Sequence, residues 1–333
     1  MVRIAEKIHG KRDTTTVFNK VRQIVPPNYA LADELADELA DVLNISKDSV
    51  YRRSRDETAL SLEEVLVICQ HYRITFESLA NPDAVTFEFK QLNPDFDSFH
   101  QYLQRLLLDL KRIKSFDNGE LFYAAEDIPV FHHFNHPLLT AFKMFYWMRS
   151  IMNVPELEGE RFKPGTLTDD LLSTAKEIYD IYQQIPSVEI WTDETASSTL
   201  KQIEYYWDAG LFEDKTTAIA ICDDFIEELQ HLQRLCERGN KNGASFRFYL
   251  NDIMIGNNCI LIKAGHSKFT YLSHHSFNFM LTTDFNFSNQ TEIWLDGMMQ
   301  KSMLISGVSE KYRNKFFMQQ IQRVNQLKAI MVT

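Results

Sequence analysis

The sequence contains few residues that break regular structure. Its 333 residues include only 11 glycines and 9 prolines, against 24 phenylalanines and 13 tyrosines. A composition so poor in helix and strand breakers, and so rich in aromatic residues, opposes disorder and favours packed helices and sheets. At about 100–200 residues per domain, a chain of this length should hold two or three domains.

Long apolar runs are also lacking. The N-terminal segment carries charges from Arg3 onward, and the most apolar window, about residues 137–152, contains Lys143 and Arg149. A signal peptide or a membrane-spanning helix would need a longer uninterrupted apolar stretch. We therefore expect a soluble, cytoplasmic chain with no membrane partner.

Cysteine is scarce, and no pair has the CxxC spacing of a metal or redox motif. Scattered cysteines within apolar patterns are typical of reduced thiols in the core of a cytosolic protein. The four are Cys69, Cys222, Cys236 and Cys259. The sequence therefore predicts neither a disulfide nor a zinc site.

Positive charge is in deficit overall, since the formal net charge is −11. Such an excess of acid disfavours a nucleic-acid partner, because Lys and Arg supply most of the non-specific attraction to phosphate. One short segment, residues 47–55, reverses the sign: it has four basic residues and a single acidic one. The positive charge of residues 47–55 is therefore compatible with a nucleic-acid partner, although the net charge of the whole chain disfavours one.

Apolar residues at three- and four-residue steps predict helices in the first 80 residues. One is expected within residues 14–25 and a second within 29–43. Asn44 and Ile45 interrupt the second, and Ser46 is a suitable N-cap for a third helix.

That third helix begins at Lys47 and is short. Ser61 and Glu64 have the spacing of a capping box at the start of the next helix, and Thr75 should open a final short one. Two helices therefore meet at a tight turn near residue 45, and two more follow.

This pattern resembles the helix-turn-helix of the Cro and phage-repressor family, also called the xenobiotic-response-element family. The resemblance covers about residues 28–80 and is carried by the segment ELADVLNISKDSVYRRSRDETALSLEEVLVICQHYRITFESL. Leu39 stands where the first helix is buried, Ala36 where the two helices cross, and Ile45 in the turn. Val50 matches the apolar anchor of the recognition helix.

The resemblance implies that the helix starting at Lys47 enters the major groove of double-stranded DNA. The positions that match the base-contacting places of the family are Lys47, Asp48 and Ser49, with Arg52 further along the same face. Arg53 and Arg55 match phosphate contacts, which orient the protein without specifying sequence. A homodimer on two half-sites would be the functional form.

Two positions depart from the pattern of the family. Arg53 and Ser54 stand where the second half of the recognition helix usually has an apolar residue, so Tyr51 would have to supply the packing. The turn has Asn44 where glycine is common, and asparagine tolerates the left-handed conformation.

For the whole chain, the patterns predict an α+β protein that is predominantly helical. We expect an all-α helix-turn-helix domain over residues 1–82 and a helical middle region over 83–187. A sensing or oligomerisation domain should cover 188–333, with an antiparallel sheet flanked by helices. The last helix, near 309–330, is polar enough to lie on the surface or to pair with a second copy.

Three clusters invite a catalytic or metal-binding interpretation. His132, His133 and His136 form HHxxH, but Pro137 should start a helix just after them, which leaves the three in a loop without metal-binding geometry. Structural or surface histidines are therefore the favoured interpretation.

The other two clusters are also weak. His266, His274 and His275 with Asp284 lie in the strand region, where neighbouring residues point to opposite faces. The acidic pairs Asp223-Asp224 and Glu227-Glu228 are interpreted as the solvated face of one helix.

The sequence as a whole therefore predicts a DNA-binding transcription regulator with no inherent cofactor and no catalytic activity. An unknown small molecule or protein would be the effector of the larger region. Two alternatives remain open. One is an interaction or defence protein that uses the helical domain for docking, and the other is an enzyme, such as a hydrolase, regulated through a DNA-binding domain.

Overall fold

The computed structural model describes residues 17–18, 21, 32–55, 57–72, 76, 84–265, 267–274 and 276–332. The chain divides into two compact units. The first unit comprises residues 1–88 and 282–289, and the second comprises residues 89–281 and 290–333.

Short helices form the first unit. They are α1 (Ala32–Leu43), α2 (Lys47–Ser54) and α3 (Leu62–Tyr72). Val17, Phe18 and Val21 are helical and buried, in agreement with the helix predicted over 14–25. The core contains these three side chains with Leu35, Ala36, Leu39, Val50, Ile68 and Cys69. The last short helix predicted from Thr75 lies outside the described residues except for Phe76.

The second unit combines helices with strands. Its helices are α4 (Phe96–Lys114), α5 (Val130–His133), α6 (Pro137–Tyr146), α7 (Asp169–Tyr182), α8 (Ser197–Asp208), α9 (Lys215–Arg238), α10 (Phe285–Lys301) and α11 (Glu310–Val332), and α6 continues as a π-helical turn over Trp147–Ile151. Its strands are β1 (Glu88–Phe89), β2 (Glu120–Ala124), β3 (Ser187–Trp191), β4 (Asn240–Lys241), β5 (Ala244–Leu250), β6 (Cys259–Ala264), β7 (Ser267–His274), β8 (Asn278–Thr282) and β9 (Met303–Leu304). β1 and α10 each begin in residues assigned to the first unit. The predominantly helical α+β class predicted from the sequence is confirmed.

The strands form one mixed sheet in the order β1-β8-β7-β6-β2-β3-β5-β4, and β9 also pairs with β5. β2, β3 and β5 are mutually parallel, with Phe122 opposite Val188 and Val188 opposite Arg247. β2 and β6 are antiparallel, as are β6 and β7. The predicted antiparallel sheet is therefore corrected to a mixed one.

The position of β2 also corrects the predicted boundary near residue 187. β2 belongs to the expected helical middle region, yet it lies between β3 and β6 of the expected C-terminal domain. A central strand is covered on both faces and so lacks polar alternation. The run LFYA is buried in this way, so its pattern does not indicate a strand in the middle of a sheet. Residues 89–281 therefore form one unit with 290–333.

Each face of the sheet contributes to a separate core. Leu121 and Tyr123 of β2 point into the large core shared with the helices α4 to α9 and α11. Phe122 and Ala124 point to the opposite face, where Leu295 of α10 covers them. This alternation follows from the two-residue period of a strand.

The last helix, α11, packs along α9 within the same chain. Its buried side includes Phe316, Phe317, Val324 and Leu327, whereas Met318, Ile330 and Val332 are exposed. The four cysteines are buried and free, as predicted. Within the part of the chain that the structure describes, every helix is too short or too polar to span a bilayer.

Candidate nucleic-acid interface

The turn between α1 and α2 is built from local backbone preferences. Asn44 has φ 52°, the left-handed conformation that asparagine tolerates. Ser46 is extended and its hydroxyl accepts a hydrogen bond from the N–H of Ser49 at 3.2 Å. The predicted cap is therefore present, and it sets the first residue of α2 at Lys47.

One apolar side chain anchors α2 to the unit. Val50 is 2% exposed and packs in the core with Ala36 and Leu39 of α1. Ile45 and Tyr51 are half-buried against the same core. The burial expected for Val50, Ala36 and Leu39 is confirmed, and the opposite side of α2 carries polar residues.

Three predicted base-contacting residues lie at the start of α2. Lys47 donates to Asp37 Oδ2 of α1 at 2.8 Å, in a pair that is substantially exposed. Asp48 is exposed, and the hydroxyls of Ser49 and Ser46 lie 2.8 Å apart. Exposed ion pairs contribute about 0–1 kcal/mol, so a phosphate or base could replace Asp37 at small cost.

Arg52 lies on the outer side of α2 and Arg55 is the C-cap residue just after it, and both guanidinium groups are mainly exposed. Both point toward Glu57: Nε of Arg52 is 4.0 Å from its carboxylate, and Nε of Arg55 is 3.3 Å away. These weak, solvent-screened pairs leave the guanidinium donors accessible to an anion.

Arg53 is held differently from its neighbours. Its Nε and Nη2 donate to the two carboxylate oxygens of Glu64 at 3.2 and 2.8 Å, and its Nη1 donates to the carbonyl of Ser49 at 3.2 Å. The structure thus directs Arg53 inward to α3, which disfavours the phosphate contact predicted for it.

Glu64 completes this arrangement through the predicted capping box. Its Oε2 accepts from the N–H of Ser61 at 2.9 Å, and the hydroxyl of Ser61 accepts from the N–H of Glu64 at 3.1 Å. Burial favours a higher pKa for Glu64, but the hydrogen bonds and charge of Arg53 and the Ser61 N–H outweigh it, so the pKa lies below its usual value. The capping box is recognisable from its spacing in the sequence, but the contact of Arg53 with Glu64 is not, because the two residues are eleven positions apart.

The HHxxH histidines lie in the interior of the second unit. His132 and His133 lie in the four-residue helix α5, and His136 precedes α6, which starts at Pro137 as predicted. All three are buried. The surface alternative is therefore wrong, as is the loop assignment for His132 and His133.

The other clusters are resolved in part. Glu228 is fully buried and Asp224 is half-buried, so the assignment of all four acidic residues to a solvated face holds only for Asp223 and Glu227. His266 and His275 lie outside the described residues. Among the residues that the structure describes, no group of three or more His, Cys, Asp or Glu is arranged to hold a metal ion.

Known proteins offer no relative from which a function could be inferred, so the geometry of α2 is the basis for a functional proposal. No protein-family model, no curated protein and no solved structure matches this chain.

Proposed function

We propose that this chain is a sequence-specific, double-stranded DNA-binding transcription regulator that acts in the cytoplasm. The supporting observation is that Asp48 and Arg52 on the outer side of α2, and Arg55 just after its end, are exposed to solvent while Val50 on its inner side is buried in the core. A short capped helix presented in this way has the width and the donors that a major groove accepts.

Within this proposal the polar residues of α2 have separate roles. Lys47, Asp48, Ser49 and Arg52 contact base edges, and Arg55 contacts phosphate. Arg53 is omitted from the contacts because Glu64 engages its guanidinium. The proposed reading surface is thus one residue smaller than the sequence predicted.

A homodimer is part of the proposal. One helix-turn-helix covers a short half-site, and pairing two modules about one helical turn apart raises both affinity and specificity. The buried side of α11 packs within the chain, so a second copy would contact its exposed side, which carries Met318 and Ile330, or another surface. The second unit would receive an effector, and the proposal assigns no reaction to it.

The test begins with selection of duplexes from a random pool by the purified full chain. Arg52→Ala should then weaken binding to the selected duplex by about 1–3 kcal/mol and relax specificity at one position. Arg55→Ala should weaken binding similarly for all sequences and reduce the dependence on salt by about one phosphate contact. Both are measured by fluorescence anisotropy titrations at several salt concentrations.

Arg161→Ala is the matched control, because Arg161 is an exposed arginine of the second unit. Its affinity should equal that of the parent chain. If Arg52→Ala and Lys47→Ala also bind the selected duplex as tightly as the parent, α2 does not read DNA.

A protein-docking role is the second candidate, and one observation favours it. Leu62, Leu66 and Val67 of α3 are exposed, although large apolar residues of a small helical unit are expected inside. If the selection experiment enriches no duplex from the pool, that result would favour protein docking through this face of α3.

A further inference from the structure

The two adjacent histidines of α5 contact two different buried carboxylates. His132 Nε2 lies 2.8 Å from Glu189 Oε1 on β3, and His133 Nδ1 lies 2.8 Å from Glu228 Oε2 on α9. All four side chains are essentially inaccessible to solvent. The short helix α5 therefore contacts the sheet through His132 and the helix α9 through His133.

On the sheet side both oxygens of the Glu189 carboxylate are hydrogen-bonded, although His132 Nδ1 and Lys241 Nζ are buried without a hydrogen-bond partner among the described residues. Besides His132, the carboxylate of Glu189 accepts from the hydroxyl of Tyr182 and from Nε1 of Trp191, the latter at 2.8 Å. Burial alone would raise the pKa of Glu189, but the charge and hydrogen bond of His132, the charge of Lys241 and the Tyr182 hydrogen bond lower it below its usual value. Glu189 is thus a stable buried anion.

The helix side has unused hydrogen-bonding capacity. Oε1 of Glu228, Nε2 of His133 and Nε2 of His136 are buried and have no hydrogen-bond partner among the described residues. Burial raises the pKa of Glu228 to about 7, against the opposing charges of His136, His132 and Lys143. An unpaired buried polar atom is costly, and the Glu228 carboxylate has an unpaired oxygen whereas the Glu189 carboxylate has none, so the contact on this side is the weaker of the two.

Three polar residues of α9 form this weaker contact. Asp224, Glu228 and His231 follow one another at steps of four and three residues, which places them on one face of the helix. Oδ2 of Asp224 accepts from the N–H groups of Leu138 and Leu139, at 3.0 and 3.1 Å, at the start of α6.

His231 completes the contact. Its Nε2 lies 2.8 Å from the hydroxyl of Tyr179 of α7, and its ring centroid lies 6.4 Å from that of His136. We name the set His133, His136, Asp224, Glu228 and His231 the histidine seam. It joins α9 to the segment that links α5 to α6.

Other ionisable groups on α5, α6, α7 and α9, and in the segment before α5, lie close to the seam. They are Asp127 before α5, His132 on α5, Lys143 on α6, Tyr179 on α7, and Arg234 and Arg238 on α9. Glu189 on β3 belongs to the neighbouring site through His132. The seam therefore lies in a mixed field in which Lys143 and the arginines oppose further positive charge.

We propose that the histidine seam is a pH-sensitive contact. Acidification separates α9 from the start of α6, while the contact between α5 and the sheet is kept. The proposal goes beyond DNA binding and does not depend on it. Its physical basis is that buried neutral imidazoles take up protons once they are solvated.

The direction of the effect follows from the shifts at each group. Burial lowers the pKa of His133 well below its usual value, lowers that of His136, and lowers that of His231 to about 4. Each imidazole therefore favours the closed seam above pH about 6.5, and this contribution is lost as pH falls toward the lowered pKa.

Glu228 acts in the opposite direction. Its raised pKa of about 7 means that the closed seam holds a proton that a solvated glutamate would release. This group favours the closed seam at low pH, and the contribution is lost as pH rises through 7. Three imidazoles against one carboxyl give a net uptake of about one to two protons on opening near pH 5.5.

Hydrogen exchange of the full chain between pH 7.5 and 5.5 tests the proposal without DNA. After correction for intrinsic exchange, protection of the N–H groups of Leu139 and Thr140 should fall by about tenfold or more per pH unit below 6.5. Protection in β2, β3 and β6 should fall much less. A parallel loss of protection in the strands would mean global unfolding and would overturn the proposal.

Two variants assign the protons. His231→Gln should reduce the number of protons taken up by about one, and Glu228→Gln should increase it by up to one. Glu227→Gln is the control, because Glu227 is the exposed neighbour of Glu228 and should leave the pH dependence unchanged. His231 is only half-buried, so its variant should remain folded. An unchanged pH dependence in His231→Gln contradicts the proposal even if Glu228→Gln fails to fold.

Discussion

At the scale of single residues, the partner of a side chain decides whether it is available to a ligand. Arg52 and Arg53 are adjacent in the sequence and identical in type, yet the side chain of Arg52 is 58% exposed and that of Arg53 is 16% exposed. The helical period directs one outward and the other toward Glu64. The sequence alone could not assign them different roles, because Glu64 is distant along the chain.

Replacement of Arg53 should therefore affect stability. Arg53→Ala should lower the stability of the first unit by about 1–2 kcal/mol, because it removes two charge-assisted hydrogen bonds and leaves Glu64 partly buried without its partner. Hydrogen exchange of α2 and α3 in the full chain measures this change. Arg52→Ala, as the exposed counterpart, should change the same protection by less than about 0.5 kcal/mol. Equal effects of the two variants would show that the Arg53–Glu64 pair contributes nothing specific.

At the scale of elements, helix starts were predictable because the signals are local. Ser46 caps α2, and Ser61 and Glu64 form the capping box at the start of α3. Each signal lies within one turn of the helix that it starts. Strand partners have no such local signal, so the sequence could not place β2 beside its parallel neighbour β3.

The turn between α4 and β2 requires glycine at position 119 because a side chain there would clash with the backbone. A Cβ atom at Gly119 would lie 2.3 Å from the carbonyl oxygen of Ile113. Gly119→Ala should therefore displace the end of α4 and destabilise the second unit by about 1–3 kcal/mol. Urea unfolding followed by tryptophan fluorescence is suitable, since all four tryptophans lie in residues of this unit.

Gly297 supplies the opposite control for that measurement. It lies within α10, and a Cβ there would meet no atom within 4 Å. Gly297→Ala should raise the free energy of unfolding by up to about 1 kcal/mol, because alanine favours a helix more than glycine does. If Gly119→Ala is as stable as the parent chain, the close approach to Ile113 is relieved at no cost.

At the scale of the whole molecule, the sheet joins segments that the sequence divided. β2 lies between β3 and β6, so the proposed border near 187 cuts a continuous core. A fragment of residues 84–187 should therefore be unfolded by circular dichroism and NMR, and a fragment of residues 84–333 should fold. A cooperative unfolding transition in the shorter fragment would restore the three-domain division predicted from the sequence.

The amino-acid sequence by itself determined the helical character, the capped turn before Lys47, the apolar anchors of α2 and the exposure of Arg52, since these depend on contacts within a few turns of chain. Only the tertiary structure decided that β2 is a central strand, that Arg53 pairs with Glu64, and that His132 and His133 face two separate carboxylates. The physical reason is distance along the chain. Hydrogen bonds, ion pairs and burial between remote segments depend on how the elements pack, and no local pattern records that arrangement.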